Sequence, residues 1–239
     1  MACHLVALRF GANDPLGLAR FWAGVLGWEV TDSAQDGIAL VPDDDTGFPV
    51  RFFPDAEPKT GQNQLHFDLT SASAEQQRQT VARSVDLGAR HIDIGQSAEE
   101  THVVLADPEG NEFCVIEPGN NFLAECGFLG ALSCDGSQEV GYFWSEVLGW
   151  PLVWDQDTET AIRSPHGGPK ITWGGPPLRP KTGRNRLRFD LAPAAGGDQR
   201  AEVDRLVALG ATRAGDDPDR PGRVLLTDPD GNEFSVSPR

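Results

Sequence analysis

Two imidazoles stand where chemistry can be expected. His4 opens the strand-like run HLVALRF and His66 sits inside QLHFDL. Imidazole titrates near neutral pH, so either ring can serve as a general acid or base. The chain repeats itself with a period of 122 residues, and the positions one period on from the two histidines hold Cys126 and Arg188. The imidazole pair therefore belongs to the first half alone, as a specialised site would. Arg188, on an inward strand position of an acidic chain, has the planar fork that grips a carboxylate or phosphate. The plainer alternative pairs Arg188 with a local acid.

The elements that must carry these residues follow from the repeat. Leu26-Gly27, Leu87-Gly88, Leu148-Gly149 and Leu209-Gly210 are spaced by 61 residues throughout, and the residue after each pair alternates Trp28, Ala89, Trp150, Ala211. FWAGVLGWEV matches FWSEVLGWPL, PKTGQNQLHFDL from Pro58 matches PKTGRNRLRFDL, and DPEGNEF matches DPDGNEF. Such a hierarchy predicts four units of one design in two halves. We read the halves as domains 1–119 and 122–239, joined where Pro118, Gly119, Asn120 and Asn121 interrupt the pattern.

Each unit reads strand, helix, then further strands. In the first, His4 to Phe10 alternates, putting His4, Val6, Leu8 and Phe10 on one face. Asp14-Pro15 reads as an N-cap followed by proline at the first helical position. Leu18, Phe21, Trp22 and Val25 make one buried stripe, and Gly27 suits a left-handed C-cap. The second unit predicts a strand over 64–69, a helix opened by the Ser73/Gln76 capping box with Val81 and Val85 inward, and strands near 91–94, 102–105 and 112–117. The second half predicts strands over 127–132, 152–154, 160–163, 170–173 and 187–191, a helix with Val203, Leu206 and Val207, and a closing hairpin over 224–236. The turn Asp107-Pro108-Glu109-Gly110-Asn111 combines a fixed φ with a glycine, and its recurrence marks it as structural. Trp22, Trp28, Trp144 and Trp150 recur between halves and are assigned to packing.

Composition removes several function classes. A formal charge of −16 and a pI near 4.6 argue against nucleic acid or an anionic membrane as partner. No run of about 18 apolar residues occurs, and no signal-peptide pattern opens the chain, so a cytoplasmic protein is expected. The four cysteines show neither CxxC spacing nor a dense framework and are read as free thiols.

Tandem βαβββ units with a histidine opening the first strand, FWxxVLGW closing the first helix, an LHFDL strand and a DPxGNEF hairpin resemble the vicinal oxygen chelate superfamily and its glyoxalase-like proteins. The resemblance spans both halves. It implies an α+β fold in which four βαβββ units pair into two curved mixed-sheet cups. It also implies a divalent metal held by the first strands of two units and by a Glu three residues after the turn Asn. Carried over residue by residue, the first half offers His4, His66 and, in place of that Glu, Cys114. The second half offers Cys126, Arg188 and Ser235.

Two imidazoles and a thiolate form a soft site for Zn²⁺ or another transition ion, with a position left for substrate or water. A metal-free cup in which His4 and His66 are polar lining and Cys114 is a small apolar residue stands beside it. Arg188, with Ser235 and Trp173 expected nearby, makes the second half a ligand-gripping site, and Phe52 and Phe53 offer an apolar wall to the first cup. Glu112 and Glu233 recur and are read as architectural. His91, His102 and His166 have no partner at metal spacing. Two functions remain open. One is a lyase or isomerase acting on a small organic metabolite, with His4 and His66 as metal ligands or acid/base groups. The other is a non-catalytic protein of the bleomycin-resistance type that sequesters a small molecule or antibiotic. Units could pair within a half, across halves, or across a dimer, so monomer and homodimer are both open.

Overall fold

A computed structural model describes residues 2–33, 37–57, 59–97, 99–218 and 220–238. Pro58, which opens the first PKTG motif, lies outside the described residues. The first unit comprises β1 (His4–Ala12), α1 (Pro15–Leu26), β2 (Glu29–Ser33), β3 (Gly37–Val41) and β4 (Val50–Pro54). The second comprises β5 (Leu65–Leu69), α2 (Ala74–Asp86), β6 (Arg90–His91), β7 (Val103–Ala106) and β8 (Glu112–Val115). The third comprises β9 (Leu129–Cys134), α3 (Gln138–Leu148), β10 (Leu152–Gln156), β11 (Glu159–Arg163) and β12 (Lys170–Trp173). The fourth comprises β13 (Leu187–Ala192), α4 (Gln199–Ala208), β14 (Thr212–Asp216), β15 (Val224–Thr227) and β16 (Glu233–Val236).

The expected signals produce these elements. Asp14 caps α1 by accepting from Gly17 N, Pro15 follows, and Gly27 closes the helix at φ 82°. Ser73 accepts from Gln76 N, while Gln76 Oε1 reaches back to Ala72 N rather than to Ser73 N. Some inward assignments fail: Val85 and Val207 are exposed, because α2 and α4 press only narrow stripes onto the sheets. The strand expected over 91–94 is shorter and earlier, at 90–91, and that expected over 127–132 runs from 129 to 134.

Among the described residues, sixteen strands form two mixed sheets of eight, both open and curved. The first has the order β14-β15-β16-β13-β1-β4-β3-β2 and the second β10-β11-β12-β9-β5-β8-β7-β6. Unit one thus pairs with unit four, and unit two with unit three. At each centre two first strands run antiparallel, β1 with β13 and β5 with β9, and each is flanked by a parallel last strand. Both sheets cross the boundary between the sequence halves.

Helix packing runs the other way, inside each half. Trp22 of α1 lies edge-on to Phe67 and Phe113 of the second sheet, with ring centroids 4.8 and 5.0 Å apart. Trp144 of α3 makes the same contacts with Phe189 and Phe234 of the first sheet, at 4.9 and 5.0 Å. Each indole N–H donates over 3.2 Å to a buried turn carboxylate, Trp22 to Asp107 and Trp144 to Asp228. Phe10 meets Phe67 across the sheets, so one large apolar core joins them, and a smaller cluster of Val104, Cys114, Ile116, Leu123 and Ala131 lies apart from it. Trp28 is buried as expected, whereas Trp150 is half-buried against that core.

The repeated loops and turns hold the central strands in register. Glu112 takes Lys59 Nζ at 2.6 Å and Asn63 N at 3.1 Å, and Glu233 takes Lys181 Nζ at 2.8 Å and Asn185 N at 3.2 Å. These pairs tie the segments leading into β5 and β13 to the starts of β8 and β16, which is the architectural part expected of the two glutamates. Gly110, at φ 88°, closes the DPEGN turn, and Asp107 Oδ1 accepts from Glu109 N and Asn111 N at 2.9 Å each.

Candidate active site in the cup of the second sheet

Strand alternation decides what each cup contains. In β5, Leu65, Phe67 and Leu69 face the helices, which leaves His66 and Asp68 on the concave side. Cys114 stands opposite Asp68 in the parallel β8, and Ser133 stands opposite His66 in the antiparallel β9. Thr172 of β12 is next in line beside Ser133. Five neighbouring strand positions thus bring together an imidazole, a carboxylate, a thiol and two hydroxyls.

The atoms are close. His66 Nε2 lies 3.3 Å from Asp68 Oδ1, with side chains 20% and 15% exposed. Ser133 Oγ donates to Asp68 Oδ2 at 2.5 Å, and Thr172 Oγ1 lies 3.4 Å from Ser133 Oγ. One ligand atom from each of His66, Asp68 and Cys114 falls within 4.8 Å of the others. Burial, first of all, and then the charge and hydrogen bond of Asp68 push the Cys114 thiol well above its usual range, with Arg179 opposing. With no cation the sulfur keeps its proton.

Beside this group opens a cavity of about 510 Å³ lined by His66, Ser133, Phe122, Trp154, Trp173 and Arg179, among others. Phe122 and Trp154 meet edge to face at 5.3 Å, and Lys170 Nζ caps the Phe122 ring at 4.3 Å. Arg179 is held by Asp135, which accepts its backbone N–H at 2.7 Å, and by Gln62 at 2.5 Å. The result is an aromatic hollow with one guanidinium on its wall.

The residues singled out from sequence divide between the two cups. His66 and Cys114 come together, but His4 does not join them. It starts β1 of the first sheet, paired with Ala192 and exposed. The expectation that both rings face one hollow fails because units pair across halves. The alternation expected along β1 holds for Leu8 and Phe10, in the core opposite Arg9, and breaks only earlier, where the register shifts between Leu5 and Ala7. The third member of the group is Asp68, two positions from His66 on the same face, and LHFDL carried that signal. By register Leu5 corresponds to Leu129, each opposite the matching leucine of its partner strand, so the counterpart of His4 is Phe128 rather than Cys126.

Phe52 is buried against Phe10 at 5.5 Å on the helix side of β4 and lines neither cup. Phe53 lies in the first cup, under the guanidinium of Arg9 at 4.3 Å. Arg188 and Ser235 also belong to the first cup, and Ser235 Oγ donates to Asp190 at 2.6 Å. Trp173 is on the second sheet, buried, and edges the 510 Å³ hollow. All four cysteines are free. Among the described residues no helix is long and apolar enough to cross a membrane.

The donor set fits a divalent transition ion: imidazole nitrogen, carboxylate oxygen and sulfur are its ordinary protein ligands, and three of them leave a position open. A cation there would reverse the electrostatics that now hold Cys114 protonated.

The sequence profile described as Glyoxalase-like domain matches twice in tandem, over residues 6–116 and 131–237. Among solved structures, glyoxalase I from Zea mays is similar to the chain at a TM-score of 0.66 and 14% identity, covering 98% of this chain and 92% of that one. A putative dioxygenase from Bacillus subtilis subsp. subtilis str. 168 is similar at a TM-score of 0.57 and 16% identity, covering 99% and 84%. At such identities the likeness is one of fold. No curated protein matches the sequence.

Proposed function

Because this chain belongs to the glyoxalase-like domain family, we propose that it is a lyase or isomerase acting on a small organic metabolite in the cup of the second sheet. The observation that carries the reading is the convergence of His66, Asp68 and Cys114 beside a 510 Å³ aromatic hollow. His66, Asp68 and Cys114 would hold a divalent transition ion. When bound, such an ion supplies Lewis-acid polarisation of a substrate oxygen.

The chain's own residues do the remaining work. Asp68 orients the His66 ring through Nε2 and is itself fixed by Ser133. Trp154 and Phe122 offer planar faces that bury an apolar substrate and exclude water. Arg179 meets an anionic substituent on that substrate. If His66 is not engaged by a metal, its imidazole can move a proton at a substrate carbon or oxygen. Each eight-stranded sheet forms from a single chain, so a monomer supplies a complete cup.

Elemental analysis of protein purified without chelator, repeated for His66→Ala, tests the reading. We expect about one equivalent of transition metal per chain, lost in the variant, with His4→Ala unchanged. Equal metal content in wild type and His66→Ala would remove the proposed centre. A second reading, sequestration of an aromatic compound without turnover, is favoured by the aromatic lining. Recovery of every bound compound unaltered would select it.

A further inference from the structure

The segment that joins the two halves walls a cavity of its own. After β8 ends at Val115 the chain turns back toward β9, and Asn120 holds that turn from inside. Its Nδ2 donates to Glu117 Oε1 at 3.1 Å, and its Oδ1 accepts from Leu123 N at 3.2 Å. The opposite wall is the link from β5 to α2. There Thr70 N and Oγ1 donate to Phe128 O and Gly127 O, both at 2.9 Å. Between the two lies a cavity of about 310 Å³, lined by Thr70, Ser71, Glu117, Asn121, Leu123 and Cys126, among others. Its volume is that of roughly ten waters. It shares no lining residue with the hollow beside His66: Phe122 faces that hollow, and the next residue, Leu123, faces this cavity.

Two polar groups in the lining want partners. Ser71 is only 8% exposed, and its hydroxyl makes no hydrogen bond among the described residues. A hydroxyl taken out of water and left unbonded has lost its hydration without replacement. Glu117 is half-buried, accepts one hydrogen bond, from Asn120, and forms no ion pair among the described residues. It is the one charged side chain in the lining, so the cavity is negative. The N–H groups near the start of α2 that could draw an anion are already taken, Ala72 N by Gln76 and Gln76 N by Ser73. Burial pushes the Cys126 thiol up, although Arg163 and Lys170 act against this, and the sulfur adds no second charge. Thr70 Oγ1 spends its proton on Gly127 O and keeps lone pairs to accept with.

We infer that this cavity binds a small amino alcohol, its ammonium group against Glu117 and its hydroxyl against Ser71. An ammonium group brings three donors and the charge that Glu117 lacks, and a hydroxyl can both give to and take from Ser71. Leu123 and Cys126 cover the carbon stem between them. This inference is independent of the function proposed for the second cup.

Amide NMR spectra of the full chain, titrated with ethanolamine in phosphate buffer, test it, with ethylene glycol as the uncharged control of equal size. Saturable shifts at Ser71, Asn120 and Leu123 are expected with ethanolamine and not with ethylene glycol. Glu117→Gln keeps the shape, removes the charge and should weaken the binding about tenfold or more. Ser71→Ala should weaken it too, while leaving the unfolding temperature of the ligand-free chain unchanged or raised, since its hydroxyl has no bond to lose. Should Glu117→Gln not fold, Ser71→Ala carries the test. His66→Ala should bind as wild type does. Absence of saturable shifts up to about 100 mM, unchanged binding in both variants, equal binding of ethylene glycol, or shifts confined to the hollow beside His66 would overturn the assignment.

Discussion

The two cups share a backbone plan and differ in whether they are filled. In the second, small and titratable side chains at the five central positions leave a 510 Å³ hollow beside His66. In the first, long arginines, Arg9, Arg51 and Arg188, occupy three of those positions, and Asp217 and Asp190 pair with Arg9 and Arg223. One duplicated scaffold therefore holds a reaction space on one side and an ion-paired interior on the other. The difference teaches that strand position alone does not make an active site. Side-chain volume decides whether substrate has room, and side-chain charge decides what can enter.

That comparison can be broken most directly at the acids. Asp217→Ala removes a carboxylate 2.5 Å from Arg9 in a site only 2% exposed, and denaturant unfolding should register a loss of about 3–5 kcal/mol. Asp68→Ala in the other cup removes one hydroxyl bond and relieves a thiol, so its loss should be smaller, about 1–2 kcal/mol. Equal losses at the two sites would mean that the cups are not as different as their contents suggest.

Trp22→Phe and Trp144→Phe probe what the halves keep in common. Each leaves a buried aspartate without its indole donor, and each should cost about 1–3 kcal/mol, equally within error. A pH series sharpens the point. Burial raises Asp107 and Asp228 to about 6 in spite of their hydrogen bonds. A carboxyl raised on folding contributes stability below its unfolded value, and loses it as pH climbs through the folded value. Wild type measured against Asp107→Asn, or against Asp228→Asn, should therefore lose relative stability between pH 4 and 6, and a flat difference would contradict the assignment. The smallest effect is expected at His4→Ala, whose exposed ring should shift stability by no more than about 0.5 kcal/mol.

Much of the scaffold was legible because its signals are local. The Asp14 cap, the Gly27 stop, the Trp22 stripe and the DPxGN turn each act within a few residues, and each forms where the sequence placed it. Unit pairing was not legible, since β1 could offer the same edge to either β5 or β13. Every site expectation joining His4 to His66 depended on that choice. Asp68 was within reach of a strand-period reading from His66. Ser133 and Thr172 were not, because they arrive from the other half and only the register of β9 and β12 brings them in. The arginine cup was glimpsed through Arg188 alone. Arg9 and Arg51 carry no signal of their own in the sequence, and only the place of β1 between β4 and β13 sets them beside Arg188.

The nested pairing also has a consequence for how the chain is made. Because β1 takes its central partner from β13, it leaves a ribosome well before that partner and stays half-clothed until the fourth unit follows. The second sheet, whose units are consecutive, can assemble first and offer Phe67 and Phe113 as a platform for α1. Translation would then finish the inner pair before the outer one, so that the arginine-rich interior closes after the second sheet.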